Sequence, residues 1–352
     1  MAKLTHNYLH KVSFEIFKAV GTPENECTII ANHLIAANLA GHDSHGVIQI
    51  PTYVDRVKNG DIVPGAPFEI LKETESTLSI DGNWGFGFVI TEKSMELLIQ
   101  KAKNNHVASA TIAHQSHIGR LTDYGLMASS QDLIAIVMAD SGRTTKHVAP
   151  FGGREPRIGT NPICMSLPSN SEGPVYFDFA TSAVAGNKIV VAAARNQQVQ
   201  ENLIIDAEGN MTTDPQGYMD GGAILPVGGP QGHKGYGLGF MVEVMTSLLT
   251  GLGFGHYPPG KHNDGVFIAL FNPSAFQPID KFKEEVTGIA QYMKTSKPAK
   301  GFKEVFYPGE LEWRTSNLKR KQGIDIEDST WNNIWTLVKE LKLTDVLKQQ
   351  IN

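Results

Sequence analysis

The order of the periodic segments along the chain constrains its fold more than any other feature of the sequence. Apolar residues recur at helical spacing in residues 5–19 and 23–40, and helical patterns return in residues 279–296 and 311–352. Short β-prone runs separated by turn residues fill the middle of the chain. This order predicts an α/β (α+β) protein in which helical N- and C-terminal parts pack together with a β-rich middle domain.

The predicted elements divide the chain into two parts. Residues 1–75 and 275–352 form a predicted helical domain built from both chain ends, and residues 76–274 form a predicted mixed α/β domain. Runs rich in β-branched and aromatic residues predict seven strands. They lie at residues 69–73, 76–81, 107–113, 133–139, 163–168, 174–179 and 265–271.

Turn and capping residues place several further helices. Thr22 is the predicted N-cap of the second helix, since Pro23 suits the first helical position. Apolar periodicity predicts helices at residues 45–59 and 237–250. A helix running to about residue 195 is predicted to begin at residues 181–182, where a threonine and a serine can cap it.

Composition restricts the partners and the location of the protein. The 352 residues carry a net charge of −5, which excludes nucleic acid as the main partner. The N-terminus lacks the apolar segment of a signal peptide, and glycines and Glu243 interrupt the most apolar window, residues 238–254. Cys27 and Cys164 each lie in an apolar run, as buried reduced thiols do. We therefore expect a cytoplasmic protein with no membrane partner.

Residues 41–51, Gly-His-Asp-Ser-His-Gly-Val-Ile-Gln-Ile-Pro, hold the densest cluster of chemically active side chains. Two imidazoles, a carboxylate and a hydroxyl follow the end of a predicted helix. Histidine exchanges protons near neutral pH, because its ordinary pKa is about 6.5. The alternative is a surface loop in which Asp43 or Ser44 only caps the next helix, and this stretch taken alone favours that alternative.

Two His-x-x-His pairs, His42/His45 and His114/His117, raise the possibility of a zinc site. This spacing is weak evidence, because no Cys-x-x-Cys or His-Glu-x-x-His motif accompanies it. A metal-free acid–base role is therefore favoured, and no metal cofactor is predicted. The sequence also lacks a Gly-x-Ser-x-Gly elbow and a Walker A loop, so nothing in it indicates a hydrolase or a kinase.

Three glycine-flanked segments have the composition of anion-binding sites: residues 119–121, 178–182 and 233–235. The first turn of a helix carries free N–H groups and a partial positive charge, which suit a phosphate. Ordinary capped helices explain the same pattern. Residues 85–87, Gly-Phe-Gly, lack the third glycine and the preceding strand of a dinucleotide-binding motif. The residues alone thus indicate a nucleotide-dependent enzyme and no more.

Five motifs occur here in the order that is typical of one family. They are residues 43–47 (Asp-Ser-His-Gly-Val), 117–119 (His-Ile-Gly), 153–162 (ending in Gly-Thr-Asn-Pro), 178–182 and 234–238 (Lys-Gly-Tyr-Gly-Leu). Nearly the whole chain resembles the malate/L-lactate (sulfolactate) dehydrogenase family, which is distinct from the Rossmann-type malate dehydrogenases. Residues 36–46 and 116–120 are most similar to its hydroxycarboxylate dehydrogenase B members.

The resemblance implies a homodimer that binds NAD or NADP through a sulfolactate dehydrogenase-like, non-Rossmann fold, with residues 76–274 as the cofactor-binding domain. It also implies hydride transfer between the nicotinamide and a 2-oxo or 2-hydroxy acid. His45 and His117 become the candidate proton donor and substrate-orienting group, in an order that the resemblance leaves open. The implied cofactor contacts are His45, Gly119, Arg120, Leu121, Asp178, Phe179, Ala180, Thr181, Ser182, His233, Lys234, Gly235, Pro308, Gly309, Glu310 and Leu311.

One position departs from the family pattern. Many members carry an arginine, suited to bidentate binding of the substrate carboxylate, where this chain has Gln49. Substrate contacts are therefore expected from Ser44, Gln49 and Arg120, with Arg120 as the favoured replacement cation. Other possible replacements are Arg143, Lys146, Arg154 and Arg157.

Loss of the small-acid clamp predicts a preference for bulky or aromatic 2-oxo acids. The alternatives are a malate, ureidoglycolate or diketogulonate-type dehydrogenase on the same fold, or a nucleotide-binding protein without catalysis.

Overall fold

The computed structural model describes residues 1–140, 146–255, 261 and 264–348. Its strands are β1 (Ala2–Leu4), β2 (Glu69–Glu73), β3 (Thr77–Gly85), β4 (Val107–Gln115), β5 (Ile134–Asp140), β6 (Ile163–Leu167), β7 (Val175–Phe179), β8 (Ile204–Ile205), β9 (Met211–Thr212), β10 (Ala223–Ile224), β11 (Gly265–Phe271) and β12 (Ile324–Ile326). Its α-helices are α1 (His6–Ala19), α2 (Glu24–Leu39), α3 (Ile50–Lys58), α4 (Gly87–Asn105), α5 (Thr122–Ser129), α6 (Gly186–Ala194), α7 (Pro215–Met219), α8 (Gly232–Glu243), α9 (Ile279–Lys294), α10 (Glu310–Gln322) and α11 (Asp328–Glu340).

A mixed seven-stranded sheet organises the middle of the chain, in the order β2-β3-β4-β11-β5-β6-β7. Strands β3 and β4 are parallel and joined by α4, whereas the other neighbours in the sheet are antiparallel. All seven predicted strands lie in this sheet. The α/β prediction is confirmed, and the helices α4 and α5 cover the sheet through a core that includes Ile112, Tyr124 and Val137.

The two chain ends share a second core. Side chains of α1 and α2, including Leu9 and Leu34, are buried together with Ile324, Trp331 and Ile334 from the C-terminal part. The N-terminal and C-terminal helical parts thus pack together, as the sequence predicts. The exact division at residues 75 and 275 stays a prediction, and β2 and β3 pair with each other across residue 75.

The predicted helix at residues 45–59 begins later than expected. The backbone makes two single 3₁₀ turns, Asp43–His45 and Val47–Gln49, before α3 starts at Ile50. The extended conformation of Gly46 separates the two turns. The capping prediction for Thr22 is also wrong, because Pro23 occupies the N-cap position and makes no side-chain cap. The Thr22 hydroxyl is buried with no hydrogen-bond partner among the described residues.

Two further helices begin away from their predicted residues. Helix α6 starts at Gly186, not at Thr181 or Ser182, whose hydroxyls donate to backbone carbonyls of Thr160 and Val184 instead. Residues 181–182 are therefore not a helix N-terminus. Helix α8 starts at Gly232 rather than at 237, so residues 233–235 lie in its first turn.

The C-terminal tail is not helical throughout. Strand β12 interrupts it between α10 and α11 and pairs with β1, which fastens the two chain ends to each other. The apolar window at residues 238–254 belongs to α8 and the π-helical turn Val244–Leu248. Across the described ranges, none of the helices has the length and apolar character needed to cross a bilayer. Cys27 and Cys164 are buried free thiols, as predicted.

Candidate functional site

The side chain of Asn38, in the last turn of α2, organises the histidine-rich stretch. Its amide nitrogen donates to Asp43 at 2.7 Å, and its oxygen accepts from the backbone N–H of Val47 at 2.8 Å. A Cβ at Gly46 would lie 2.1 Å from the Asn38 oxygen, so only glycine fits there. The stretch is therefore a rigid, specifically folded turn and not a simple helix cap.

The imidazoles of His45 and His117, which are distant in sequence, lie next to each other in the structure. His45 ends the first 3₁₀ turn after α2, and His117 follows the end of β4. Their ring centroids are 5.6 Å apart with an interplanar angle of 26°, so the rings stack. Two segments that are distant in sequence thus form one pair of proton-exchanging groups.

A neighbouring hydroxyl orients each ring through its Nδ1 atom. The Ser44 hydroxyl lies 3.0 Å from Nδ1 of His45, and the Tyr53 hydroxyl lies 2.6 Å from Nδ1 of His117. Burial raises the pKa of Tyr53, which keeps this phenol protonated. Tyr53 is a site residue that sequence reasoning missed, although it lies four residues after Gln49 and therefore on the same helical face.

Burial and two neighbouring basic groups keep His45 neutral. Desolvation, His42 and Arg120 together lower the pKa of His45 to about 4. Burial and Arg120 also lower the pKa of His42. At neutral pH the His45 ring is therefore an uncharged hydrogen-bonding group.

A cavity of about 1000 Å³ opens beside this histidine pair: His117 lines it, as does Ser44 next to His45, whereas His45 itself does not. One wall consists of the turn after α2 and the face of α3 that carries Gln49, Thr52, Tyr53 and Arg56, next to His117. Residues of α6 and of β12 form the opposite side. The volume is in the range of small-molecule sites.

Both apolar and polar side chains line the cavity. Ile48, Val190 and Val191 present partly exposed apolar surface to it. The amide nitrogen of Gln49 donates to the backbone carbonyl of Ser44 at 2.8 Å. Gln49 therefore stabilises the turn through this hydrogen bond, while the apolar surface of Ile48, Val190 and Val191 is available to a substrate side chain.

Arg120 lies in a buried ion-pair network next to the histidines. Its guanidinium contacts Asp123, whose other oxygen lies 3.5 Å from Nδ1 of His33, and His33 is 3.0 Å from Glu92. Burial opposes ionisation of Asp123, but Arg120 and His33 lower the pKa of this carboxyl to about 2. Arg120 does not line the cavity described above, so its substrate-binding role stays a prediction.

His33 gives this network a measurable pH dependence. Burial opposes its charge, but hydrogen bonds to Asp123 and Glu92 raise its pKa to about 9, above the 6.5 of an unfolded chain. The stability from protonated His33 is complete below about pH 6.5 and is lost as the pH rises through 9. We expect His33→Gln to flatten the fall in the free energy of unfolding across this range, as measured by urea denaturation. His10→Gln, at a partly exposed histidine of α1, should retain the wild-type slope.

Hydrogen bonds join three of the segments expected to contact a cofactor. The backbone N–H and hydroxyl of Thr122 both donate to Asp178 at 2.8 Å, which ties residues 119–122 to β7. The Tyr176 N–H donates to the Pro308 carbonyl at 3.2 Å. A Cβ at Gly309 would lie 2.6 Å from the Pro174 carbonyl, so glycine allows this close approach. Segments 119–121, 178–179 and 308–309 are thus neighbours.

Val227 links the fourth segment, residues 233–235, to Thr181. The N–H of Val227 donates to the Thr181 carbonyl, and the Val227 carbonyl lies against Gly235. His233 and Lys234 are exposed in the first turn of α8. Glu310 differs from the other predicted contacts, because it is buried and ion-paired with Lys294 and Arg314. Glu310 therefore stabilises the start of α10 through these ion pairs.

Of the other candidate replacement cations, Lys146, Arg154 and Arg157 are described by the structure and do not line the cavity. Lys146 is buried between Asp140 and Glu243. Arg154 and Arg157 lie in an exposed loop, where Arg157 pairs with Glu155. Arg143 lies outside the described residues. The cations that do line the cavity are Arg56, Lys188 and Arg195, and sequence reasoning singled out none of them.

The two His-x-x-His pairs do not assemble into one cluster. His114 pairs with Asp81 at 2.8 Å and packs on the Trp84 ring, whereas His117 faces Tyr53 and His45. In the part of the chain that the structure describes, no three metal-ligating side chains converge. The geometry that is present is suited to proton exchange beside a cavity.

Comparisons with known proteins place this geometry in a family. The model of the malate/L-lactate dehydrogenase family matches residues 4–335. The chain is 36% identical to the L-sulfolactate dehydrogenase of Methanothermobacter thermautotrophicus, over 96% of this chain and 97% of that protein. It is 31% identical to hydroxycarboxylate dehydrogenase B of Escherichia coli strain K12, over 96% and 94% of the two chains.

The fold agrees with that assignment. The structure of sulfolactate dehydrogenase from Methanocaldococcus jannaschii superposes with a TM-score of 0.88 at 34% identity, covering 97% of each chain. Family and fold predictions from the five motifs are thereby confirmed. The chain belongs to the malate/L-lactate dehydrogenase family, and it is an oxidoreductase of 2-hydroxy acids.

Proposed function

We propose that this protein is an NAD(P)-dependent 2-hydroxycarboxylate dehydrogenase that works mainly as a 2-oxo acid reductase. The observation that carries the proposal is the stacked pair His45 and His117, each oriented through Nδ1, beside a cavity of about 1000 Å³. A reductase of this kind needs a proton donor and an orienting group at one carbonyl, and the pair supplies two such groups.

The residues that surround β7 fit a dinucleotide. Phe179 and Leu311 expose apolar side chains of the kind on which flat rings pack, and Lys234 brings a cation to the first turn of α8. The Nε atom of Arg120 is buried without a hydrogen-bond partner among the described residues. When bound there, a reduced nicotinamide supplies hydride to the carbonyl carbon. The residues that would hold it are those of segments 119–121, 178–182, 233–235 and 308–311.

The two histidines then have different tasks. Hydride addition forms a C–H bond at carbon 2, and the carbonyl oxygen takes up one proton to become the hydroxyl group. His45 is neutral near pH 7 because its pKa is about 4, so we assign it to hydrogen bonding that orients the carbonyl. His117, oriented by Tyr53, is the proposed proton donor. The stacked rings shield each other from bulk water. This shielding strengthens the hydrogen bond from His45 and the proton donation from His117 to the carbonyl oxygen.

The cavity favours a bulky 2-oxo acid. Gln49 adds no positive charge, and its amide is engaged with the Ser44 carbonyl. The apolar side chains Ile48, Val190 and Val191 offer contact area to a large substrate side chain. A substrate with an aromatic or branched tail therefore gains more from this cavity than a small dicarboxylate does.

A panel of 2-oxo acids tests this preference. We expect kcat/KM to be at least tenfold higher for phenylpyruvate than for glyoxylate or oxaloacetate, because only the first covers the apolar wall. The measurement is the decrease in nicotinamide absorbance at fixed enzyme concentration, with NADH and NADPH in parallel. A clear preference for oxaloacetate would refute the bulky-substrate proposal and favour a malate-type activity.

We also propose a homodimer located in the cytoplasm. Phe240, Met241, Leu248 and Leu249 expose apolar side chains along one stretch at the end of α8. A contiguous apolar surface of this kind is typical of a protein–protein interface. Sedimentation at micromolar concentration tests the dimer, and a monomer there would contradict it.

A further inference from the structure

We propose that Arg56 binds the carboxylate of the 2-oxo acid, two helical turns along α3 from the position at which many family members carry an arginine. The inference rests on the proposed function, since it names the residue that anchors the substrate in that site. Gln49, Thr52, Tyr53 and Arg56 all line the cavity from the same face of the helix. Seven residues at 1.5 Å each separate residues 49 and 56 by about 10 Å, and a long arginine side chain spans most of that distance.

The guanidinium of Arg56 has unused hydrogen-bonding capacity. Its Nη1 atom is buried and has no hydrogen-bond partner among the described residues. An arginine is always charged, and a buried donor without a partner is costly to the folded protein. A carboxylate in the cavity removes that cost, because it accepts two parallel hydrogen bonds from one guanidinium.

Asp264, the acidic neighbour of Arg56 among the described residues, makes no ion pair with the Arg56 guanidinium. Asp264 is close enough for the guanidinium to act on its ionisation, but no hydrogen bond or ion pair joins the two described side chains. Asp264 instead accepts from the backbone N–H of Ile118 at 2.9 Å. Arg56 thus shares the cavity lining with Tyr53 and His117, so a carboxylate held by its guanidinium lies in the same cavity as the histidine proposed to donate the proton.

Other cations near the site are already engaged or belong to a different part of the cavity lining. Arg195 is paired with Glu327, and Arg120 with Asp123. Lys188 is exposed on α6, across the cavity from α3. Arg56 is the cation on the cavity wall that carries both Gln49 and Tyr53.

The experiment compares Arg56→Gln and Arg56→Lys with Lys58→Gln, which removes a positive charge from the exposed face of the same helix. With the best 2-oxo acid, we expect Arg56→Gln to raise KM by about 10- to 100-fold, the range of a charge-assisted hydrogen-bonded pair. Arg56→Lys should recover part of the loss, and Lys58→Gln should retain the wild-type KM. The binding of NADH, followed by fluorescence, should not change in any variant, and circular dichroism confirms folding.

A second measurement separates this inference from the proposed function. Oxamate, an unreactive analogue of a 2-oxo acid, is titrated calorimetrically into each protein in the presence of NADH. We expect the wild type to bind it and Arg56→Gln to bind it at least tenfold more weakly, even if no 2-oxo acid is turned over and the proposed function fails. Unchanged KM and oxamate affinity in Arg56→Gln overturn the inference, as does absence of oxamate binding to the wild type. A KM increase confined to dicarboxylates also overturns it, because Arg56 would then bind a distal group.

Discussion

Replacing His117 by alanine is expected to lower kcat by about 10²- to 10⁴-fold, the usual contribution of a positioned proton donor. His117 lies beside the cavity, stacks on His45 and is oriented by the Tyr53 hydroxyl at 2.6 Å. Without the His117 imidazole, the carbonyl oxygen of the 2-oxo acid loses its proposed proton donor while it develops negative charge. The measurement is steady-state kcat with the best 2-oxo acid, with NADH affinity measured separately by fluorescence.

His45→Ala is expected to lower kcat as well, but with a different pH profile. Since the pKa of His45 is about 4, its ring is neutral throughout the working range, and its loss should leave the shape of the kcat profile between pH 6 and 9 unchanged. His117→Ala should change the shape of that profile, because it removes the proposed proton donor. The reverse result would exchange the two roles.

A matched control separates the chemistry from general damage. His114→Ala removes an imidazole three residues before His117 that pairs with Asp81, away from the cavity. We expect it to retain kcat within about twofold. Retention of full activity in both His45→Ala and His117→Ala would contradict the proposed mechanism at its centre. Loss of NADH binding in either variant would instead indicate a nucleotide-binding role.

The sequence predicts the sheet better than it predicts the helix starts. The strands are found because β-branched runs such as residues 134–140 alternate between buried and partly exposed side chains. The start of α6 is missed because Thr181 and Ser182 look like helix caps, although their hydroxyls are bound to backbone carbonyls of the preceding loop and of Val184. Capping residues also serve turns, so tertiary contacts decide between the two uses.

The candidate site is predicted in outline for a similar reason. His45 and His117 are recognisable from their chemistry and from family motifs, and the structure stacks their rings. Tyr53 and Arg56 carry no local motif, and only the assembled face of α3 places them in the cavity. The predicted cofactor contacts stay predictions. Among them, Glu310 is buried and ion-paired, so a residue expected to bind the cofactor can instead stabilise the fold.

The motif at residues 153–162, which ends in Gly-Thr-Asn-Pro, illustrates the same ambiguity. Asn161 points into the protein, where its amide nitrogen donates to Glu243 and to the Gly239 carbonyl. Its backbone has a positive φ of 41°, a conformation that asparagine tolerates better than most residues. The motif therefore holds a buried ion cluster at the C-terminal end of α8, whereas the segment proposed to contact the cofactor lies in the first turn of that helix.

Lys146→Met is expected to reduce the free energy of unfolding by about 3–5 kcal/mol, the cost of removing one partner from a buried ion pair. The Lys146 ammonium is 3.3 Å from Asp140 and 3.0 Å from Glu243, and all three side chains are buried. Ser247 donates to Asp140 at 2.5 Å, but this bond supplies no positive charge. Without Lys146 two buried carboxylates therefore repel each other. Urea denaturation monitored by tryptophan fluorescence measures the loss.

The pH dependence of that loss identifies its cause. Burial and the neighbouring Asp140 already raise the pKa of Glu243, and Lys146 opposes them. In Lys146→Met this pKa rises further, so protonation at pH 5 relieves the repulsion and the destabilisation should be smaller there than at pH 8. Lys11→Met, at an exposed lysine of α1, should change stability by less than about 0.5 kcal/mol. If Lys146→Met left stability unchanged and raised KM for 2-oxo acids, Lys146 would be the substrate clamp, and the carboxylate-binding role would pass from Arg56 to it.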